Sequence, residues 1–246
     1  MIKRFYYDLH LHSCLSPCGD NDNTPANIAG MASLCALDII ALTDHNTTKN
    51  CPAFFCAAEK FGIVPIAGME LTTSEDIHAV CLFENLQDAA RFDEYVASHR
   101  ILIKNRVEFF GEQLIVDRDD NVIGSEEYLL SNATDVSIDE IYDIAKDFGG
   151  VAYPAHIDRD ANSITAILGT VPSDSKFKIY ELHLSDNLSD AAARYGIDKD
   201  RFIISSDAHY LTDMRDKDAY LLLDVRDDTP AEIRRALFEF LRGDAI

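Results

Sequence analysis

Seven short apolar runs alternate along this chain with stretches of helical periodicity, and this alternation most constrains the fold. The runs lie at 5–9, 38–42, 64–67, 77–83, 151–153, 178–182 and 202–205. Thr24-Pro25 opens the first helix as N-cap and first helical residue. Further helices are expected at 52–61, 87–100, 138–148 and 230–241. Strands that alternate with helices predict an α/β fold with a mainly parallel sheet or barrel.

Two regions interrupt the alternation. Ser74-Glu75-Asp76 separates two β-type stretches and predicts a hairpin. A second hairpin is expected within 101–136, around Arg118-Asp119-Asp120-Asn121. We interpret 101–136 as a small insertion in a single domain that spans 1–246, and we expect it to cover the active-site cleft and contribute substrate contacts.

Composition narrows the class of protein. The chain has 246 residues, 47% of them hydrophobic, which is typical of a globular protein with a sizeable core. No apolar run has the length of a membrane helix, and no secretory segment opens the sequence, so a cytoplasmic location with reduced cysteines is expected. The formal net charge of −21 predicts no non-specific nucleic-acid binding, because an acidic surface repels phosphate backbones.

Histidines and acids follow the predicted strands where each strand ends. His10 and His12 end the first strand, where alternate side chains point the same way, so the two imidazoles can bind one metal ion. Taken alone, the pair fits two exposed histidines on an edge strand equally well. The other strand ends lead into Asp44, His45, Glu70, His156, Asp207 and His209. Because the carboxyl ends of barrel strands meet at one rim, we expect these side chains to converge.

Six motifs in this order resemble the PHP (polymerase and histidinol phosphatase) family, and most closely its stand-alone phosphoesterases. They are Asp8-Leu9-His10-Leu11-His12-Ser13, Leu42-Thr43-Asp44-His45-Asn46, Gly68-Met69-Glu70-Leu71, Ile77-His78, Pro154-Ala155-His156 and Ser206-Asp207-Ala208-His209. The resemblance implies a distorted seven-stranded (β/α) barrel that hydrolyses phosphate esters. It also implies a cluster of two or three divalent ions, which would be manganese, zinc or iron.

The resemblance also implies a ligand set. His10 and His12 would hold a first metal together with Glu70 and Asp207. Glu70 would bridge to a second metal, whose other ligands would be His78 and His156, and a third metal would lie at His45 and His209. Imidazoles and carboxylates suit borderline divalent ions, and a bridged pair can clamp the attacking and leaving oxygens of phosphoryl transfer.

The loop after His12 departs from the family pattern, which places an aspartate there as the remaining third-site ligand. Cys18, Asp20 and Asp22 are all candidates in this loop. Counting back from the helix start at Thr24-Pro25 favours Asp20, with Cys18 as the second choice. A thiolate at Cys18 would bias the site toward zinc.

Several further residues receive auxiliary roles. Asp8 and Asp44 are expected to orient histidines, although each also fits a surface acid. Arg159 fits a phosphate clamp and a surface residue about equally, and His183, at another strand end, is a weaker candidate for touching substrate. Glu70, Asp207 and His209 would form the catalytic centre, where a metal-bound hydroxide attacks phosphorus and a nearby histidine or metal-bound water protonates the leaving oxygen.

The sequence therefore predicts a metal-dependent phosphoesterase that acts on a small phosphorylated substrate, such as a nucleotide or sugar phosphate. Neither non-specific nucleic-acid binding nor a membrane partner is expected. Two alternatives remain open. One is an amidohydrolase-like metallohydrolase of another bond, and the other is a non-enzymatic module that the metal merely stabilises.

Overall fold

The computed structural model describes residues 1–183 and 188–244, and these residues form ten strands and eight α-helices. The strands are β1 (Ile2–Leu11), β2 (Ile39–Leu42), β3 (Val64–Thr72), β4 (His78–Phe83), β5 (Leu114–Val116), β6 (Val122–Ser125), β7 (Val151–Pro154), β8 (Tyr180–Leu182), β9 (Phe202–Ile204) and β10 (Tyr220–Asp224). The helices are α1 (Pro25–Leu34), α2 (Cys51–Lys60), α3 (Leu86–His99), α4 (Val107–Phe110), α5 (Ile138–Asp147), α6 (Ile164–Leu168), α7 (Leu188–Tyr195) and α8 (Pro230–Arg242). Each of the seven predicted runs coincides with a strand, whereas β10, α4, α6 and α7 were not predicted.

The main sheet is curled into a half-barrel, which confirms the α/β class. Its strand order is β10-β1-β2-β3-β4-β7, and β8 pairs with β9 in a separate ladder. The pairs β1–β2, β2–β3 and β8–β9 are parallel, whereas β10 on β1 and β4 on both β3 and β7 are antiparallel.

The predicted closed seven-stranded barrel is not confirmed. Among the described residues, only the single bridge between Leu11 and Ala208 links the end of β1 to the loop after β9, and no ladder joins β7 to β8. The predicted hairpin at 74–76 explains part of this difference. It reverses β4 against β3, with Thr72 opposite His78, so the repeating strand–helix–strand unit is broken there.

Alternate residues of the sheet strands pack into two apolar clusters. Tyr7, Leu9 and Leu82 belong to the cluster that includes Phe238 and Leu237 of α8. The intervening residues belong to the cluster formed with the helices α1, α2, α3 and α5. Both clusters are almost fully buried, so they hold the strand ends in fixed positions relative to one another.

The helix starts follow the predicted capping chemistry. The side chains of Thr24, Ser137 and Thr229 each accept a hydrogen bond from a backbone N–H in the first turn of α1, α5 and α8. Proline stands at the beginning of both α1 and α8, where its missing N–H has no cost.

Residues 101–136 form the expected hairpin, in which β5 and β6 pair antiparallel, and they add the short helix α4. This insertion is fastened to the sheet core by Asn46, whose Nδ2 donates to the carbonyls of Leu130 and Asn132 at 2.7 and 2.8 Å. Oδ1 of the same asparagine accepts from the backbone N–H of Thr72. The insertion therefore has a fixed position next to the end of β3.

All six cysteines are free thiols in the structure, as expected for reduced residues. Among the described helices, none combines the length and apolar character that crossing a membrane requires.

Candidate metal centre

Glu70 occupies the centre of the histidine cluster. It lies in the middle of the pairing between β3 and its neighbours, and its backbone N–H donates to the carbonyls of Thr43 and Asp44. The carboxylate is 1% exposed, yet five imidazoles lie within 3.4 Å of its oxygens. These are His10, His12, His45, His78 and His156.

The two oxygens of Glu70 face different histidines. Oε1 lies 2.7 Å from Nδ1 of His78 and 3.0 Å from Nε2 of His156, and Oε2 lies 3.1 Å from Nδ1 of His45. Burial alone raises the pKa of this carboxyl group, but His78, His10 and His45 outweigh burial and hold the pKa well below its ordinary value. Glu70 is therefore an anion with two sides, which is the arrangement that a bridging ligand needs.

His10 and His12 each contact both Glu70 and Asp207. Nε2 of His12 lies 3.0 Å from Oδ1 of Asp207 and 3.2 Å from Nε2 of His10. Burial lowers the pKa of His12, but the contacts with Asp207 and Glu70 prevail and raise it to about 9. Protons on these imidazoles thus balance the buried carboxylates, in the place where a cation would do the same.

Three overlapping groups of side chains have ligand atoms within 4.8 Å of one another. The groups are His10, His12, Glu70 and Asp207; His45, Glu70 and His78; and His12, His45 and His209. The first has the composition predicted for the first metal. The second contains His45 where His156 was expected, although His156 touches Glu70, and the third adds His12 to the predicted His45 and His209. The ligand roles of these residues remain predictions.

The loop that follows His12 places Cys18 and Asp20 differently. Sγ of Cys18 lies 3.2 Å from Nε2 of His45. Oδ1 of Asp20 accepts from the backbone N–H of Asp22 at 2.8 Å, as in a turn. Among the described residues, neither Cys18 nor Asp20 joins any of the three ligand groups. The structure thus brings the cysteine, the second choice from sequence, against a third-site histidine.

Positive φ angles mark two of the site residues. His156 has φ of 29° and Asp207 has φ of 51°, although neither is a glycine. Such backbone is costly for residues with a Cβ atom and persists where surrounding contacts enforce it. The N–H of His156 donates to Oε1 of Glu181 at 3.1 Å, which is one such contact.

Glu181 contacts two of the candidate ligands and was not predicted from the sequence. It is fully buried in β8, and its Oε1 lies 2.8 Å from Nδ1 of His10. A carboxylate on Nδ1 fixes the ring so that Nε2 faces Glu70 and Asp207. The sequence does hold a signal for Glu181. It lies two residues before His183, which is at a predicted strand end, and alternate residues of a strand share a face.

Asp44 and Asp8 contact serines that lie next to the candidate ligands in the structure or in the sequence. The carboxylate of Asp44 accepts from the N–H and hydroxyl of Ser13 and from the hydroxyl of Ser16, and Oγ of Ser16 lies 2.9 Å from Nδ1 of His12. Asp44 therefore acts on His12 through Ser16. Asp8 accepts from the N–H of Ser206, next to Asp207, and burial raises its pKa to about 6.

Arg159 and His183 lie together at the edge of the centre. Nη1 of Arg159 donates to Oδ2 of Asp207 at 2.6 Å, and its Nη2 lies 3.2 Å from Nε2 of His183. The arginine side chain is 37% exposed, so it faces both Asp207 and solvent. Of the two residues predicted to bind substrate, Arg159 thus contacts the candidate ligand Asp207 directly, and His183 contacts Arg159.

Comparison with known proteins gives the same assignment as the motifs. A family model of the PHP domain matches residues 8–156, more than half of the chain. An uncharacterized protein of Methanocaldococcus jannaschii is 30% identical over 76 residues, which cover 28% of this chain and 44% of that protein.

Two solved structures share the fold at 19% identity. The lesion-specific endonuclease Q of Pyrococcus furiosus superposes with a TM-score of 0.63 over 98% of this chain and 56% of that chain. A candidate metal-dependent phosphoesterase of Bifidobacterium adolescentis superposes with a TM-score of 0.60 over 94% of this chain and 95% of that one. This chain therefore spans about half the length of the endonuclease and less than half of the archaeal relative.

The endonuclease comparison corrects the predicted partners. Endonuclease Q has been solved in complex with a 27-mer duplex that carries an abasic lesion at the active site, and its fold matches this chain with a TM-score of 0.62. This finding contradicts the prediction of a small substrate without non-specific nucleic-acid binding, because a protein of this fold binds duplex DNA. A net charge of −21 is a sum over the whole surface, and it does not describe the field inside one cleft.

The six motifs, the buried cluster of histidines around Glu70 and the family match over residues 8–156 agree with one another. This chain belongs to the PHP domain family, whose members are metal-dependent hydrolases.

Proposed function

We propose that this protein hydrolyses phosphate esters with the help of divalent metal ions bound around Glu70. The observation that carries this proposal is the single buried carboxylate with five imidazoles within 3.4 Å. Buried carboxylates are normally paired with one or two cationic or donor groups, so this density of metal-ligating atoms far exceeds what structural satisfaction of Glu70 requires.

The donor set fits divalent ions such as manganese, zinc or iron, because all its members offer imidazole nitrogen or carboxylate oxygen. Two buried atoms at its centre, Oε2 of Glu70 and Nδ1 of His45, lack a hydrogen-bond partner among the described residues. They face each other at 3.1 Å, with lone pairs that a cation would satisfy. We assign His10, His12, Glu70 and Asp207 to one ion. Glu70, His78 and His156 would hold a second ion, and His45 and His209 a third.

When bound, such ions lower the pKa of a coordinated water and neutralise charge on the phosphate oxygens. The chain itself supplies the positioning. Arg159 places a guanidinium beside Asp207, where it can donate two parallel hydrogen bonds to a phosphate, and His183 lies against it. Burial lowers the pKa of His209 to about 4, so this imidazole is neutral near pH 7 and suits a ligand better than a general acid.

The amidohydrolase-like alternative is less well supported by the site. Barrels of that type generally use a lysine or carboxylated lysine as the bridging ligand, whereas we assign the bridge to Glu70, and among the described residues no lysine stands at a comparable strand end. The alternative of a purely structural metal module predicts no turnover, so the experiment below separates it from an enzyme.

The test is phosphate release from protein that has been chelated and then reloaded with one metal at a time. The panel contains a nucleotide, a sugar phosphate and a short DNA oligonucleotide, which represent monoesters and nucleic-acid diesters. We expect hydrolysis of at least one class after reloading and none after chelation. An unchanged rate after complete chelation would reject a metal-dependent reaction, and full metal occupancy without any turnover would favour the structural module.

A further inference from the structure

An aromatic-walled cleft opens beside the candidate metal centre. It has a volume of about 700 Å³, within the range of small-molecule sites. Its walls come from the loop at 17–21, from the end of α4 and from Tyr210. The cleft is adjacent to the metal ligands, because Cys18 contacts His45 and Tyr210 directly follows His209.

Three aromatic rings lie in these walls with much of their surface in solvent. Phe109 is 68% exposed, Phe110 41% and Tyr210 52%. The guanidinium of Arg106 lies over Phe109 at 4.4 Å from the ring centroid, and the phenyl group nevertheless keeps most of its surface free. Exposed aromatic rings grouped around a concave site are typical of binding surfaces, since isolated exposed rings gain nothing in water.

The cleft is held rigidly against the histidine loop. Gly111 ends α4 with φ of 86°, and a Cβ atom at this position would lie 2.5 Å from the carbonyl oxygen of Pro17. Nδ2 of Asn21 donates to Oε2 of Glu112, and the N–H of Leu114 donates to the carbonyl of Cys14. These contacts tie the end of α4 to the loop that carries Cys18, which in turn contacts His45.

Charge defines which part of a substrate fits here. Among the described residues that line the cleft, Asp20 and Glu112 are acidic and none is lysine or arginine. Arg106, outside this lining, stacks on Phe109. A phosphate would be repelled by the two carboxylates, and Arg159 and ions bound at the candidate centre would attract it instead. The cleft thus suits an uncharged, planar group, whose amino or hydroxyl hydrogens could be accepted by the two carboxylates.

We propose that Phe109, Phe110 and Tyr210 form a stacking subsite for a planar aromatic group, of the nucleobase class, in the alcohol part of the phosphate ester. This inference rests on the proposed phosphoesterase function and specifies its substrate. The base can belong to a free nucleotide or to the end of a nucleic-acid strand, because both present the same ring next to a phosphate.

The experiment compares Phe109→Ala with Ile123→Ala, a matched control on the same insertion. Ile123 is 65% exposed and does not line the cleft. Each metal-loaded variant is assayed with adenosine monophosphate and with glycerol phosphate, which lacks a ring. We expect Phe109→Ala to raise KM for the nucleotide about tenfold relative to glycerol phosphate, because stacking on an aromatic side chain has an effect of this size. The control should leave this ratio unchanged.

Tyr210→Phe keeps the ring and should preserve the ratio, whereas Tyr210→Ala should lower the preference for the nucleotide. Equal losses on both substrates, or no loss on either, would overturn the stacking subsite. A short single-stranded DNA as a third substrate distinguishes a free nucleotide from a strand end as the source of the base.

Binding of adenosine, measured by saturation-transfer NMR, separates this inference from the proposed function. If no ester is hydrolysed but adenosine binds the wild type and not Phe109→Ala, the subsite stands and the phosphoesterase proposal fails. If esters are hydrolysed and adenosine binds both proteins equally, the subsite is rejected and the phosphoesterase proposal stands.

Discussion

The candidate metal-ligand rim and the insertion at 101–136 differ in almost every physical respect. The rim consists of charged and polar side chains at strand ends, and His10, His12, Glu70 and Asp207 are all between 0 and 4% exposed. The tip of the insertion consists of apolar side chains in solvent, such as Phe109. In an ordinary globular protein these two groups would exchange places.

The difference separates two tasks. Buried ligands compensate one another's charges, so that removing one leaves others unpaired at a cost of about 3–5 kcal/mol for a buried ion pair. Exposed side chains have few protein neighbours, and their substitution changes stability by about 0.5 kcal/mol or less. The rim is therefore suited to fixed chemistry and the insertion to variable recognition, and the following predictions test this division from the largest effect to the smallest.

Substitution of Glu70 should have the largest effect. Glu70→Gln removes the negative charge between five imidazoles, so at least one metal should be lost and hydrolysis should fall by orders of magnitude. Elemental analysis and phosphate release measure the two effects. Glu127→Gln, at an acid that is 62% exposed, is the matched control. Normal metal content and activity in Glu70→Gln would refute the bridging role.

Substitutions of Glu181 test whether a residue that contacts a candidate ligand, without being one itself, contributes to metal binding. Glu181→Gln keeps an oxygen that can accept from His10 and from the N–H of His156, but it removes the charge. We expect metal affinity to fall about ten- to a hundredfold, with Glu181→Ala at the severe end, because groups that orient a ligating imidazole have effects of this size. Competition with a chelating dye measures the affinity. Identical losses in both variants would show that the charge, and not the shape, is what Glu181 contributes, whereas normal affinity in Glu181→Gln would show the reverse.

Substitutions of Cys18 and Asp20 test which of the two residues helps to hold the proposed third metal. Since only Cys18 contacts His45, we expect Cys18→Ala to lose the third metal while Asp20→Ala retains it. In cobalt-substituted protein, the ultraviolet charge-transfer band of a thiolate ligand reports the bond directly. Loss of the third metal in Asp20→Ala alone would restore the choice made from the sequence, and no loss in either variant would leave the site to histidines and water.

The insertion should tolerate change in its tip. Deleting the whole of 101–136 would remove Leu130, which is fully buried, so the structure recommends replacing only 106–110 by a glycine–serine linker. This variant should keep its metal content, and its preference for adenosine monophosphate over glycerol phosphate should fall about tenfold. A folded variant without metal, as judged by circular dichroism and elemental analysis, would contradict the division between rim and insertion.

The smallest expected effect is the change with pH in the free energy of unfolding of the chelated protein. The pKa of His12 rises from 6.5 to about 9, so its stabilising contribution is present below 6.5 and is lost between pH 6.5 and about 9. The pKa of His209 falls from 6.5 to about 4 through burial, so stability is lost as pH falls through that window, and the depressed pKa of Asp207 acts in the same direction. Urea unfolding should therefore show maximal stability near pH 6.5, and a flat profile up to pH 9 would contradict it.

Much of the molecule could be predicted from local signals. Thr24-Pro25, Ser137 and Thr229-Pro230 begin helices where expected, because a cap and its partner N–H lie within a few residues of each other. The candidate ligands could also be predicted from the sequence, because they are histidines and acids that directly follow apolar strands, and the ends of such strands meet at one edge of the fold.

Tertiary structure decided what depends on distant parts of the chain. The antiparallel pairing of β10 with β1 joins segments more than 200 residues apart, and no short-range pattern encodes it. The contact of Glu181 with His10 spans 171 positions, and the contact of Cys18 with His45 depends on how a turn-rich loop lies against that histidine. Local chemistry in the sequence determined which residues could bind metal. Which of them face one another was decided by the packing of the strands, because burial and long-range pairing act only once the chain is folded.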